Sequence, residues 1–548
     1  MDLLSKQIKS YINWDLIKFI RKGLIMYCVI PAAGRGVRFN ELGKNYPKCV
    51  LPYQDIPIIV HNIRLAFDSG AREVCIVVGH QANKIREIVG MYFPDDSRVR
   101  FAEYTEAEGK GGPGVSIYCG LPEDIGEEPV LILLSDIVVN HAPFTDSRTS
   151  WISTQKVSDW ERWCMAELNA GAVVKFHDKP RDMPATDTAV SGVYYFADGY
   201  QFRNCMIYAI HSTSEGEVQI SSAMTRYMKK ESIYSKSVKI VDFGTLQEYL
   251  ENRGVSNSRS FNQLFPSSDG ATITKTSIVQ PSKIHAEANW YDNLPTSIKV
   301  MTPRILDKNL YGDRPTYTME RVDSPTLREL YLYLESDPIF WAEIYTKLFK
   351  LTDKFKFYFK PGKPQFFHNV ATKNYERYIT ISHKFAYEDD SEFDSEFLSK
   401  FANMTADGEF DVFQDSLFHG DLCFSNIFYH PGSKQIKLID PRGEAYGNIL
   451  YDLAKITHSA YYPYDYVDAE LYLNKDGKTI YFDAGKEAAR NAYKTLFIDK
   501  YGEKTWRITL FLTASLFLTM IPLHDHSETN QELYYALYRQ ARSDSGLV

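Results

Sequence analysis

Residues able to do chemistry concentrate in two short stretches of this 548-residue chain. The first, Pro31-Ala32-Ala33-Gly34-Arg35-Gly36-Val37-Arg38, directly follows the apolar run Tyr27 to Ile30. Glycine at such a place lets backbone N–H groups come close to an anion, and phosphate is the natural occupant. Arg38 and, ten residues on, Lys48 after Pro47 add two cations that suit a triphosphate. A tight strand-to-helix turn is the alternative use of the same glycines. The second stretch, Phe418-His419-Gly420-Asp421-Leu422-Cys423-Phe424-Ser425-Asn426, is followed by the apolar Ile436 to Ile439 and then Asp440-Pro441-Arg442-Gly443. A carboxylate, a carboxamide five residues later and a second carboxylate after a hairpin can supply a base and two metal ligands.

The first stretch resembles the signature of the sugar-phosphate and choline-phosphate nucleotidyltransferase family, Gly-x-Gly-x-Arg followed by Pro-Lys, at Gly34, Gly36, Arg38 and Lys48. The resemblance extends from Met26 to about Leu250. It implies a Rossmann-like domain that joins a nucleotidyl group to a phosphomonoester with Mg²⁺, Arg38 and Lys48 stabilising the departing pyrophosphate. It also implies that Gly111-Gly112-Pro113-Gly114-Val115-Ser116 reads the base, with Gly112 and Ser116 at the nucleotide. Asp136 and Asp242 match its metal ligands, and Lys179 matches the lysine that meets the acceptor's phosphate. Ser135 and Val241 stand where the family often has Gly and Trp, a departure that bears on base preference.

The second stretch resembles the His-Gly-Asp-x-x-x-x-Asn loop of the aminoglycoside and choline kinase family, over roughly Asn257 to Val548. That implies a two-lobed, protein-kinase-like fold in which Asp421 accepts the proton of a substrate hydroxyl and Asn426 and Asp440 hold Mg²⁺. A lysine and a glutamate should then position the phosphates of ATP. Lys275 at the end of a strand and Glu287, expected to open the next helix, are the pair, with Lys283 as the rival lysine. Tyr317 to Val322 looks like the hinge that meets adenine, with Glu320 inside it. Ser256 to Asn262, where the nucleotide-covering loop belongs, has no glycine. Tyr451-Asp452-Leu453-Ala454-Lys455 reads as an anchor for the catalytic loop. Arg442 is expected to touch the transferred phosphate or an acidic substrate group, the alternative being a surface ion pair.

Elements must hold these residues in place, and the hydropathy pattern supplies them. Apolar strands at Tyr27–Ile30, Val74–Val78 and Val130–Leu134 alternate with helical stretches, which predicts a parallel α/β sheet. Further strands are expected at Val193–Phe196 and Val238–Val241, and Glu251 to Ser260 reads as a linker. Beyond a short strand at Ala271–Thr274, helical patterns rich in aromatics run from Leu327 to the end. The domains expected are a leader helix over 1–25, a nucleotidyltransferase domain over 26–250, a small kinase lobe over 251–325 and a large lobe over 326–548.

Composition limits the partners. Lys and Arg number 62 against 70 Asp and Glu, a net charge of -8, so the whole chain has no general attraction for nucleic acid or anionic membrane. Seven cysteines without a C-x-x-C pair fit a reducing cytoplasm better than a disulfide framework or zinc ribbon. Ile508 to Leu523 reads as a buried helix rather than a membrane span. The leader carries Leu4, Ile8, Ile12, Leu16 and Ile20 on one face, which predicts an amphipathic helix that packs on protein, most simply a second subunit. His524 and His526 read as structural polar contacts, and the 38 Tyr and 32 Phe as core more than a cation–π box for choline.

The expected activity is therefore bifunctional. ATP phosphorylates a small polar hydroxylated compound, a sugar first, and a second NTP, CTP or UTP, is then coupled to the product with release of pyrophosphate. The pairing resembles bacterial fusions that supply activated precursors for surface polysaccharide. Alternatives are choline or an alditol with CTP, and a degenerate second half that only regulates the first.

Overall fold

The computed structural model describes residues 26–547 apart from 37–38, 40–45, 55, 140–143, 145–147, 215, 253–262, 268–269, 363–365, 382–390, 476–477, 482–485 and 526. The expectations for the leader, for Arg38, for the loop 256–262 and for His526 fall outside these residues. Two units divide the chain, Met1–Gly254 and Val255–Val548.

In the first unit the apolar runs become the strands of one nine-stranded sheet. They are β1 (Met26–Pro31), β2 (Ala71–Val78), β3 (Val99–Glu103) and β4 (Val130–Leu133). A short β5 (Ile137–Val139) lies outside the sheet; β6 (Ser150–Lys156), β7 (Cys164–Asn169), β8 (Ala172–Asp178), β9 (Thr188–Phe196) and β10 (Ile233–Ser237) complete it. Its order is β3-β2-β1-β4-β9-β6-β10-β8-β7. The first four strands are parallel, as the alternation with helices α1 (Ile58–Asp68), α2 (Ala82–Tyr92) and α3 (Pro113–Gly120) demands. The expectation of a wholly parallel sheet needs correction, because β9 runs antiparallel to both β4 and β6. All nine residues of β9 are buried, so it reads like a parallel strand in sequence. The strand expected at 238–241 is split: β10 ends at Ser237, and β11 (Ile240–Asp242) pairs antiparallel with β5. Helices α4 (Gly199–Ser212), α5 (Ile220–Tyr227) and α6 (Leu246–Asn252) finish the unit, and α6 takes up the first residues of the expected linker.

The second unit opens with a four-stranded antiparallel sheet of β12 (Gln263–Pro266), β13 (Thr272–Thr276), β14 (Ile305–Asn309) and β15 (Thr316–Glu320), in the order β12-β13-β15-β14. Helix α7 (Pro281–Asn293) packs against it, with Glu287 accepting a 2.7 Å hydrogen bond from the Tyr317 hydroxyl of β15. Helices dominate the remainder: α8 (Pro338–Phe357), α9 (Phe366–Ile381) and α10 (Ser391–Ala406) precede a hairpin of β16 (Ile427–His430) and β17 (Gln435–Leu438). After it come α11 (Ile449–Ala460), α12 (Glu487–Tyr501), α13 (Glu503–Met520) and α14 (Glu528–Ser545). Helix α13 with its following turn, Glu503–His524, is long and apolar enough to cross a membrane, yet 83% of that window is buried inside the protein. Burial of Phe511, Leu512, Phe517 and Leu518 makes it the core helix of this unit.

Candidate active sites

The glycine loop leaves the C-terminal end of β1, where the Ala32 amide still bonds to Val77. Gly36 has a left-handed φ of 62°, and the space above Gly34 is open. Lys48 reaches Asp136 at 2.6 Å, so the second cation expected for the triphosphate stands on the first carboxylate expected for the metal. Asp136 follows β4, and its flanking backbone is pinned from α1. The buried Asn62 amide donates to the carbonyls of Leu134 and Ile137, at 3.1 and 3.0 Å. Sequence reasoning missed Asn62, because a lone Asn in an apolar helix carries no signal until its partners are known.

Asp242 ends β11 opposite Ile137, and the Phe243 amide donates to the Asp136 carbonyl at 2.8 Å. The two carboxylates are thus brought to one place. Burial, then the charges of Glu248 and Asp136, push Asp242 up to about 7, while Arg162 opposes the shift. Arg162 pairs with Glu248 and lies 3.6 Å from Asp242. Neither Arg162 nor Glu248 was singled out in the sequence, since each looks like an ordinary surface charge there. No group of three or more ligating side chains occurs among the described residues. A hard divalent cation suits two carboxylates when phosphate oxygens and water supply its other ligands, so Asp136 and Asp242 fit Mg²⁺.

Gly112 caps α3 with φ 99°, and a Cβ there would lie 2.8 Å from the Glu217 Cβ. Only glycine allows that approach. Ser116, one turn into α3, is buried and its hydroxyl has no hydrogen-bond partner among the described residues. Lys179 follows β8 in a left-handed conformation with φ 46°; it is exposed and forms no ion pair among the described residues.

In the second unit Lys275 of β13 is fully buried between two carboxylates, 2.7 Å from Glu287 and 2.9 Å from Asp440. Burial alone would lower Lys275, but Asp440 and Glu287 outweigh it and hold its pKa above the usual lysine value. Glu287 lies in the second turn of α7 rather than at its start. The rival Lys283, one turn earlier, is 3.5 Å from the same Glu287. Asp440 has φ 56°, and Gly443, three residues on with φ 108°, lets this loop meet α7, since a Cβ there would lie 2.6 Å from that of Ala286.

Asp421 is held from two sides. Asn426 donates to its carboxylate at 3.1 Å and to its carbonyl at 2.9 Å, and Lys455 of α11 pairs with its other oxygen at 3.0 Å. The preceding loop is fixed by Asp452, whose oxygens accept the amides of His419 and Gly420 at 2.8 and 2.7 Å. Burial pushes Asp452 up to about 7 against those two bonds, and lowers the equally buried His419 to about 4. Since Asn426 donates through its nitrogen, its carboxamide oxygen and Asp440 are of the donor type that Mg²⁺ takes. Glu320 uses its side chain on Arg304 and Lys437, and the amides of Glu320 and Arg321 bond to Arg304 and Ala271. Arg442 pairs with the exposed Glu444 at 3.0 Å, and its guanidinium lies over the rings of Phe366 and Tyr451, at 5.3 and 5.2 Å. His524 bonds Met520 and Asp468, a structural contact.

Comparison with known proteins addresses the first unit. Residues 27–255 match the family model for nucleotidyl transferases. UTP–glucose-1-phosphate uridylyltransferase AglF of Haloferax volcanii is 24% identical over 210 residues, 36% of this chain and 82% of that protein. Bifunctional protein GlmU of Geotalea uraniireducens is 34% identical over 110 residues, 20% of this chain and 22% of that protein. A crystal structure of apo UDP-glucose pyrophosphorylase aligns over 42% of this chain and 97% of its own, at 21% identity and a TM-score of 0.35. Residues 27–255 are a nucleotidyltransferase domain, similar to the sugar-phosphate nucleotidyltransferases.

Proposed function

We propose that the chain carries two active sites that act in sequence, a small-molecule kinase in the second unit and a sugar-phosphate nucleotidyltransferase in the first. The observation that carries the kinase reading is the convergence of Lys275, Glu287, Asp421, Asn426 and Asp440, drawn from separate segments, into two joined ion-pair clusters. A regulatory module without catalysis has no need of a buried lysine shared between two carboxylates beside a third that is paired with its own lysine.

Asp421, paired with Lys455 and oriented by Asn426, accepts the proton of the acceptor hydroxyl as that oxygen attacks the terminal phosphorus of ATP. Lys275, steered by Glu287, meets the phosphates. In the first unit the resulting phosphomonoester attacks the α-phosphorus of an NTP and expels pyrophosphate. The Gly34–Gly36 loop, Arg38 and Lys48 meet the triphosphate, Gly112 and Ser116 face the base, and Lys179 meets the acceptor's phosphate. Mg²⁺ held by Asp136 with Asp242, and by Asn426 with Asp440, would neutralise charge on the reacting phosphates. UTP and a sugar 1-phosphate lead, because relatives of the first unit bear those substrates in their names. The setting we infer is cytoplasmic supply of precursors for surface polysaccharide.

The test offers the full chain each of the four NTPs with sugar 1-phosphates, choline phosphate and alditol phosphates, and ATP with the unphosphorylated compounds. Pyrophosphate with UTP and ADP with a hydroxylated acceptor are the expected results. A chain that forms pyrophosphate but never ADP contradicts the two-site reading.

A further inference from the structure

Helix α9 places Phe366, Val370, Lys373 and Arg377 at spacings of four, three and four, which is one face of a helix. Its first two residues are buried, and Phe366 packs on Phe418, directly before the His-Gly-Asp loop, and on Tyr451 of α11, with ring centroids 5.0 and 5.4 Å apart. The face that carries Lys373 and Arg377 thus starts against the catalytic loop at Phe366, and Lys373 further along it is exposed. Arg442 fills the gap between these elements, stacked over both Phe366 and Tyr451. Lys455, one turn beyond Tyr451, completes the group at Asp421.

Lys373 thus neighbours Arg377, Arg442 and Lys455, of which Arg442 and Lys455 also act on Asp421, while Arg377 donates to the Thr519 carbonyl at 3.5 Å. The acidic groups facing them are Asp421 and Glu444. Lys373 registers the imbalance: burial, then Arg442 and Arg377, lower its pKa to about 8, with Lys455 adding to the shift and only Glu444 opposing it. Like charges held close together are costly unless an anion joins them. The cluster is built to receive one. Phe366 and Tyr451 each have the Arg442 guanidinium over the ring, and its charge opposes a quaternary ammonium there.

We infer that the acceptor phosphorylated by the second unit is itself an anion, a hydroxylated carboxylate or phosphate whose charged group binds among Lys373, Arg377 and Arg442 while its hydroxyl faces Asp421. This rests on the kinase reading of that unit and narrows its substrate class away from choline and neutral sugars. Lys373 and Arg377 enter as specificity residues, since they lie on α9 and not on the loop that bears the base.

The experiment uses the full chain and three matched probes, D-glycerate, glycerol 3-phosphate and glycerol, in calorimetric binding without ATP and in ADP formation with it. An anionic probe should bind at least about tenfold more tightly than glycerol, as expected for a charged hydrogen bond. The two anionic probes separate carboxylate from phosphate. Lys373→Met should raise the KM of the anionic acceptor about tenfold with little change in kcat, and Lys373→Arg should restore it. Binding of an anion without ADP formation keeps the anion site and overturns the kinase reading. Preferred turnover of glycerol, with Lys373→Met lowering kcat at unchanged KM, places the cations on the transferred phosphoryl group and overturns this inference. So does failure of both anionic probes to bind.

Discussion

Lys455 shows how one side chain sets what its neighbour can do. Burial would lower its pKa, but the Asp421 carboxylate at 3.0 Å outweighs that and keeps the ammonium charged. Lys455→Met should therefore deprive the Asp421 carboxylate of its cation and reduce kcat for ADP formation at least about tenfold, with a smaller effect on the KM for ATP. A changed KM for ATP with intact kcat would place Lys455 at the nucleotide instead. Lys373 gives a prediction in pH. Its ammonium, lowered to about 8 by burial and by Arg442, Arg377 and Lys455 against Glu444, is present below that pH and lost above it. Affinity for D-glycerate should thus fall as pH rises from 7 to 9.5, with the midpoint moved above about 8 because the bound anion favours the ammonium. In Lys373→Met the slope should flatten, and an unchanged slope would assign the pH effect to another group. Asp136, Asp421 and Lys275 were legible in the sequence because each sits at a fixed offset from a glycine or a strand end. Lys373, Asn62 and Arg162 were not, since their partners lie far off in the chain and only folding brings them near.

Elements position these residues through backbone contacts that no local pattern encodes. The turn after β4 keeps its shape because Asn62 of α1 bonds the carbonyls on both sides of Asp136. Asn62→Leu leaves two buried carbonyls without that donor and should cost roughly 2–4 kcal/mol of stability in the first unit. Denaturant unfolding followed with pyrophosphate release would show it, and an unshifted midpoint would mean that the turn holds itself. Gly112→Ala puts a Cβ at a left-handed position 2.8 Å from the Glu217 Cβ. It should displace the entry to α3 and lower NTP-dependent turnover several-fold while ADP formation stays intact. The strand-helix alternation made β1, β2 and β4 readable, and it failed at β9. A strand buried on both faces shows no direction in its sequence, so the antiparallel β9 looked parallel.

Over the whole molecule, the net charge of -8 predicts no general attraction for nucleic acid or anionic membrane, yet it gives no hint of the cations gathered around Lys373. Charge totals average over surfaces, whereas a site depends on what one cleft encloses. The same holds for domain count: length suggested several units, and each of the two that form holds its own candidate site residues in ion pairs. If each cluster is an active site, the two activities belong to different parts of the chain and should fail separately. The direct measurement compares Asp136→Ala and Asp421→Ala in the full chain for pyrophosphate release from a supplied phosphomonoester and for ADP formation from ATP. Each variant should lose its own activity by at least about a hundredfold and keep the other. A folded variant that loses both activities, or an Asp421→Ala protein that forms ADP at the wild-type rate, would contradict the account.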